Sequence, residues 1–88
     1  MDNEDIYYKF QKYISKVKKL ESIGDEDKLI LYAFYKQSTE GNNTKPKPSI
    51  INFIENEKWK SWNSIKGMTK EDAMKNYIKK VKLLYKEA

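Results

Sequence analysis

Tyr32, Tyr35 and Lys36, in the stretch LYAFYKQSTEG at residues 31–41, are the side chains best suited to chemistry. At about 100° per helical residue, Tyr35 lies about 60° to one side of Tyr32 and Lys36 about 40° to the other. The three share one face, and Lys28, one turn before Tyr32, extends it. A phenol ring is a flat surface on which a purine stacks, worth ~1–3 kcal/mol per base. Its hydroxyl can donate to a phosphate, and an ammonium one turn away supplies positive charge. The set suits a nucleotide or a nucleotide-tailed cofactor. On spacing alone it also fits a plain amphipathic rim with a solvated lysine. Neither G-x-x-x-x-G-K-[S/T] nor G-x-G-x-x-G occurs, so side chains rather than a backbone cradle would have to hold phosphates.

Composition removes most other chemistries. The 88 residues contain no cysteine and no histidine. Thiol nucleophiles, disulfides, Cys/His zinc sites and Ser-His-Asp arrangements are therefore excluded. No metal site and no catalytic residue is expected, and the chain is read as a non-enzyme. The net charge is +5, unevenly spread: residues 45–88 carry eleven lysines against five acids. A basic half favours an anionic partner. All eighteen positive charges are lysine. Without arginine, the preferred bidentate reader of guanine edges, phosphate binding without base reading is favoured. The opening MDNEDIYYKF has no secretory pattern, and no apolar run approaches the roughly 20 residues of a membrane span. These features predict a soluble cytoplasmic protein.

Four helices must position the tyrosine–lysine face. Ile6, Phe10, Tyr13, Ile14, Val17 and Leu20 recur at spacings of three and four, predicting a first helix that ends near Leu20. Gly24 breaks it, and Asp25, Glu26 and Asp27 mark the start of a second, which should stop near Thr39 or Gly41. Residues 53–67 predict a short third helix with Trp59 and Trp62 turned to the core, ended by Gly67. Thr69 and Asp72 fit a capping box for the fourth, which carries Ala73, Met74, Tyr77, Ile78, Val81, Leu84 and Tyr85. Its basic run YIKKVKLLYK could touch anionic membrane, but its apolar residues are expected to face the bundle. The connection from Gly41 to Ile54 is different. About fourteen residues at about 3.3 Å each reach ~45 Å, more than the ~22 Å of a 15-residue helix. The chain can thus run back along the bundle and leave helices 2 and 3 parallel. The fold class predicted is all-α, a single domain over residues 1–88.

Three ordered motifs then carry a resemblance. Tyr32 to Gly41 reads as tyrosine, two residues, then Tyr-Lys-Gln and two small residues before a glycine. Lys58 to Asn63 reads Lys-Trp-x-x-Trp-Asn, and Gly67 to Ile78 reads Gly-x-[Ser/Thr]-x-x-[Glu/Asp]-Ala-x-x-x-Tyr-[Ile/Val]. Together, at these separations and over essentially the whole chain, they resemble the acyl-CoA-binding protein family. That resemblance implies an up-down-down-up four-helix bundle with a long crossover between helices 2 and 3. It also implies a carrier of long-chain acyl-coenzyme A that catalyses nothing and needs no cofactor. The position matching Tyr35 would stack near the adenine. Those matching Tyr32, Lys36 and Lys58 would surround the ribose 3′-phosphate. Tyr77 would sit by the nucleotide, and Lys18 matches a further ligand-facing lysine. Lys28 and Leu29 fall at the acyl groove.

Gly24 stands where the family has proline, Ser49 where it commonly has glycine, and Lys28 where it usually has an apolar residue. The stem of Lys28 can still cover apolar surface. The expected partners are acyl-coenzyme A and, transiently, membranes or acyl-CoA-using enzymes, with the protein a monomer that binds no nucleic acid. A basic nucleic-acid module is the rival, disfavoured by the missing arginines. A helical bundle that has lost its ligand is a third reading, disfavoured because the matching positions are filled.

Overall fold

The computed structural model describes residues 3–87. The domain read over residues 1–88 reaches past them at Met1, Asp2 and Ala88, which lie outside the described residues. The helices are α1 (Asn3–Val17), α2 (Asp25–Glu40), α3 (Phe53–Asn63) and α4 (Lys70–Glu87). Among the described residues there is no strand, and the architecture is the expected up-down-down-up four-helix bundle. Both α1 and α2 pack on α4, while α3 packs on α2.

The core forms where the stripes meet. Phe10 of α1, Leu31 of α2 and Tyr77, Ile78, Val81 and Leu84 of α4 are buried together. The rest of the α1 stripe, from Ile6 to Leu20, lies against them. α1 itself stops at Val17, short of the predicted Leu20. There Lys19 N–H donates to Lys16 O and Leu20 N–H to Val17 O, both at 3.1 Å. These i→i−3 bonds tighten the last turn and satisfy orphan carbonyls. The basic run of α4 turns Tyr77, Ile78, Val81 and Leu84 inward, whereas Leu83 faces solvent against the expectation. Tyr85 stays partly exposed, its hydroxyl donating to Lys16 O at 2.6 Å.

Helix ends follow their local chemistry. Asp25, Glu26 and Asp27 occupy the first turn of α2, where negative charge opposes the helix dipole. Asp27 also pairs with Lys80 at 2.7 Å, tying that end of α2 to α4. α2 ends at Gly41, whose φ of 82° is the left-handed conformation that a side chain resists. Thr69 Oγ1 accepts the Asp72 N–H at 3.0 Å and so caps α4. α3 ends at Asn63, before the predicted Gly67. The intervening residues form turns closed by Ile65 N–H to Trp62 O and Lys66 N–H to Asn63 O. Gly67, at φ 100°, then redirects the chain into α4.

The crossover, residues 41–52, has no helix or strand but is pinned by side chains. Trp59 Nε1 donates to Lys45 O at 2.7 Å, and Asn56 Nδ2 to Pro48 O at 2.8 Å. Lys45 N–H donates to Asn43 Oδ1 at 2.9 Å. The two tryptophans expected in the core therefore divide. Trp62 is buried, whereas Trp59 is half-buried and holds the crossover down. Among the described residues no helix is long and apolar enough to cross a membrane.

Candidate functional site

α2 and α3 run side by side, and a groove of about 360 Å³ lies between them. Its α2 wall is Asp25, Lys28, Leu29 and Tyr32; its α3 wall is Phe53, Ile54, Glu57 and Lys58. Both walls follow from helical spacing, since residues three and four apart share a face. The volume lies within the ~300–1,000 Å³ typical of small-molecule sites. The groove has polarity. Lys28, Leu29, Phe53 and Ile54 give it an apolar floor with one lysine stem, and Tyr32 and Lys58 close one end.

At that end Tyr32 and Lys58 meet. The Lys58 ammonium sits over the Tyr32 ring, 5.3 Å from its centre, and pairs with Glu55 at 3.5 Å. Lys36, one turn beyond Tyr32, has its ammonium 5.1 Å from the Trp62 ring centre. Tyr35 remains 41% exposed, so a ring surface stays open to a ligand. The other side of Tyr35 stacks on Phe10, with ring centres 6.2 Å apart. Tyr77 meets Phe10 edge-on at 5.2 Å.

Tyr77 is therefore a buried wall behind Phe10, not an open surface. Burial pushes its phenol up to about 12, with the neighbouring Tyr35 adding to the effect. Lys28 and Leu29 line the groove. Lys18 is exposed in the turn after α1, and among the described residues no hydrogen bond or ion pair ties it to the cluster.

Two features of the site were not read from the sequence. The first is Glu40, whose carboxylate accepts a hydrogen bond from the Lys36 ammonium one turn away. This bond raises Lys36 above the usual lysine range, against an opposing effect of partial burial. It holds Glu40 below the usual carboxylate range. The spacing of four residues carried the signal, because oppositely charged side chains so placed meet on a helix surface.

The second is Gln37, fully buried behind the cluster. Its Nε2 donates to Asn42 Oδ1 at 2.9 Å and to Met68 O at 2.8 Å. Its Oε1 accepts from Trp62 Nε1 at 3.1 Å, and that indole N–H also reaches Gly41 O at 2.9 Å. Asn42 Oδ1 in turn accepts Gly67 N–H at 2.7 Å. One side chain thus joins the end of α2, the start of the crossover, α3 and the turn into α4. A buried amide with its polar atoms satisfied fixes a single arrangement of these parts.

Comparison with known proteins bears on this geometry. Residues 8–81 match the family model described as Acyl CoA binding protein. The chain belongs to the acyl-CoA-binding protein family. Acyl-CoA-binding domain-containing protein 2 of Oryza sativa subsp. japonica is 45% identical over 80 residues, covering 90% of this chain and 88% of the rice protein. The acyl-CoA-binding protein of Gossypium hirsutum is 41% identical, with 90% of each chain covered. The crystal structure of Oryza sativa acyl-CoA-binding protein 2 superposes with a TM-score of 0.89 at 42% identity, over 93% of this chain and 92% of that one. The chain spans 52% of acyl-CoA-binding domain-containing protein 3 of the same rice. Of enoyl-CoA delta isomerase 2 from Rattus norvegicus it spans 18%. The α2–α3 groove and its tyrosine–lysine end are thus features of a chain from an acyl-CoA-binding family.

Proposed function

We propose that this protein is a monomeric cytoplasmic carrier that binds long-chain acyl-coenzyme A reversibly and performs no chemistry on it. The observation that carries the reading is the polarity of the groove: Leu29, Phe53 and Ile54 give it apolar walls, Tyr32 and Lys58 close one end, and Tyr35 and Lys36 follow within about one turn of Tyr32 on α2. The open ring of Tyr35 would stack with the adenine. Lys36 and Lys58, with the Tyr32 hydroxyl, would hold the 3′-phosphate. Charge-assisted bonds of this kind are worth ~1.5–3 kcal/mol each. Tyr77 would support the nucleotide end from behind through Phe10, and Lys18 would add positive charge from the turn after α1. The acyl chain would lie between Leu29, Phe53 and Ile54, with the stem of Lys28 along its edge. Calorimetric titration with palmitoyl-coenzyme A, below its micelle concentration, tests this. One-to-one binding in the nanomolar range is expected; no heat of binding at micromolar protein would overturn it.

Glu40 adds a prediction particular to this chain. Its carboxylate holds the ammonium that the phosphate would need, so ligand must displace one anion to place another. Because Lys36 keeps Glu40 below the usual carboxylate range, the competitor stays charged throughout neutral and mildly acidic pH. The pair's contribution to stability is present above the ordinary carboxylate value and is lost as pH falls through the lowered one. Exposed pairs are worth little, so Glu40→Gln is expected to tighten palmitoyl-coenzyme A binding by only about two- to fivefold. Paired dissociation constants for the thioester and its 3′-dephospho analogue provide the check. An equal gain for both would remove the phosphate from the account.

A further inference from the structure

A lysine of the crossover reaches the same ring as Lys36. The Lys45 ammonium lies 5.8 Å from the centre of the Trp62 ring, where the Lys36 ammonium lies at 5.1 Å. The crossover fixes the point from which this side chain starts. Lys45 N–H donates to Asn43 Oδ1, and its carbonyl accepts from Trp59 Nε1, so the residue is tied on both sides. Asn43 is itself buried, and its Nδ2 reaches Trp59 O at 3.4 Å. Pro46, next in the chain, confines Lys45 to extended backbone. The side chain of Lys45 is exposed, so its ammonium can meet a ligand without opening the bundle.

The charges at this ring do not balance. Two ammoniums share it, and like charges brought together repel. Glu40 is the carboxylate beside them. Its bond from Lys36 holds it below the usual carboxylate range, and Lys45 adds to that effect. Glu40 pairs with Lys36, however, and among the described residues Lys45 forms no ion pair. One negative charge thus faces two positive ones. Lys58, by contrast, already has Glu55 at 3.5 Å. A phosphate monoester carries about −1.5 to −2 at neutral pH, so it supplies the charge that Glu40 lacks. A carboxylate or a phosphodiester, with a single charge, does not.

We infer that Lys45 is a further phosphate-binding residue, which with Lys36 clamps a phosphate monoester of the ligand in the place Glu40 gives up. The inference rests on the proposed function, in which the ribose 3′-phosphate is that monoester. It adds the crossover to a site otherwise built from α2 and α3. It also gives the pinning of the crossover by Trp59 and Asn43 a use beyond closing the chain, because that pinning sets where the second ammonium stands.

The test is calorimetric titration of Lys45→Gln with palmitoyl-coenzyme A and with its 3′-dephospho analogue, beside Lys47→Gln. Lys47 lies two residues on and makes no ion pair or ring contact among the described residues, so its loss removes the same charge without touching the ring. Lys45→Gln is expected to weaken palmitoyl-coenzyme A binding about five- to tenfold, and binding of the analogue less than about twofold. Lys47→Gln is expected to cost less than about twofold with either ligand. The main-chain bonds of the crossover remain, so the thermal unfolding of Lys45→Gln stays at the wild-type value. In a Glu40→Gln background the loss from Lys45→Gln is expected to persist, because the lysine meets the phosphate itself. A loss that vanishes there would overturn the contact and leave Lys45 acting only through Glu40. Equal losses for the two ligands, or for the two lysine variants, would overturn it as well. Unchanged binding by Lys45→Gln, with wild type still binding palmitoyl-coenzyme A, would overturn it and leave the carrier reading intact. Wild type that binds no palmitoyl-coenzyme A would overturn both.

Discussion

Coenzyme A stripped of its acyl chain is expected to bind this protein about a thousandfold or more weakly than palmitoyl-coenzyme A. The acyl chain brings roughly fourteen methylenes at ~0.8 kcal/mol each, an upper bound near 11 kcal/mol. The groove between α2 and α3 is open on one side, so part of that area stays wet. Immobilising the chain removes several kcal/mol more. Retaining even about 4 kcal/mol separates the two ligands by three decades. The head group is also necessary, because free palmitate finds Lys58 and Lys36 already engaged with Glu55 and Glu40. Parallel titrations with the thioester, coenzyme A and palmitate make the measurement. Coenzyme A and palmitoyl-coenzyme A binding within tenfold of each other would mean that the groove contributes nothing.

The largest loss of stability is expected at Trp62. Its ring is 2% exposed, and its indole N–H serves both Gln37 and Gly41. Truncating a buried tryptophan to alanine costs ~3–5 kcal/mol. Trp62→Ala also strips Gln37 Oε1 of its donor inside the bundle, adding about 1–3 kcal/mol. Small domains hold only about 5–15 kcal/mol in total. Thermal unfolding followed by circular dichroism is expected to show a midpoint lowered by on the order of 20 °C, if the variant folds at all. Trp62→Phe keeps most of the ring but removes the donor, and is expected to fall between the two. A change of only a few degrees for Trp62→Ala would mean that the bundle closes without this residue.

How much of this was legible in the sequence depends on range. The helices were, because each is set by local periodicity and by the residues at its ends. α2 begins at its acidic run and ends at Gly41, inside the predicted window. The misjudged ends of α1 and α3 lie where an apolar stripe continues past the last helical bond, as at Leu20, so periodicity overshoots. The shared face of Tyr32, Tyr35 and Lys36 was legible for the same local reason. The division of labour between Trp59 and Trp62 was not. It depends on where the crossover carbonyls of Gly41 and Lys45 come to lie, which no spacing within α3 encodes. Tyr77 and Gln37 are alike in this respect. One is a phenol and one an amide, each buried by partners from other helices. Glu40 was readable in principle from its spacing to Lys36, but the motif drew attention to the lysine and not to the acid beside it.

The Gln37 hub has a consequence for how such a protein can change over generations. Gln37 bonds both Asn42 and Trp62, so losing Trp62 strands Gln37 Oε1 and losing Gln37 unties the crossover from α3. Single substitutions there are costly. Lys36 and Glu40 stand on the opposite terms. They lie one residue before Gln37 and three after it, on the outer side of the same helix, and each can be exchanged alone at little cost to the fold. α2 is thus locked on its inner side and free to drift on its outer one. A lineage carrying this fold could retune its grip on the ligand's anionic end one substitution at a time, without ever passing through an unfolded ancestor.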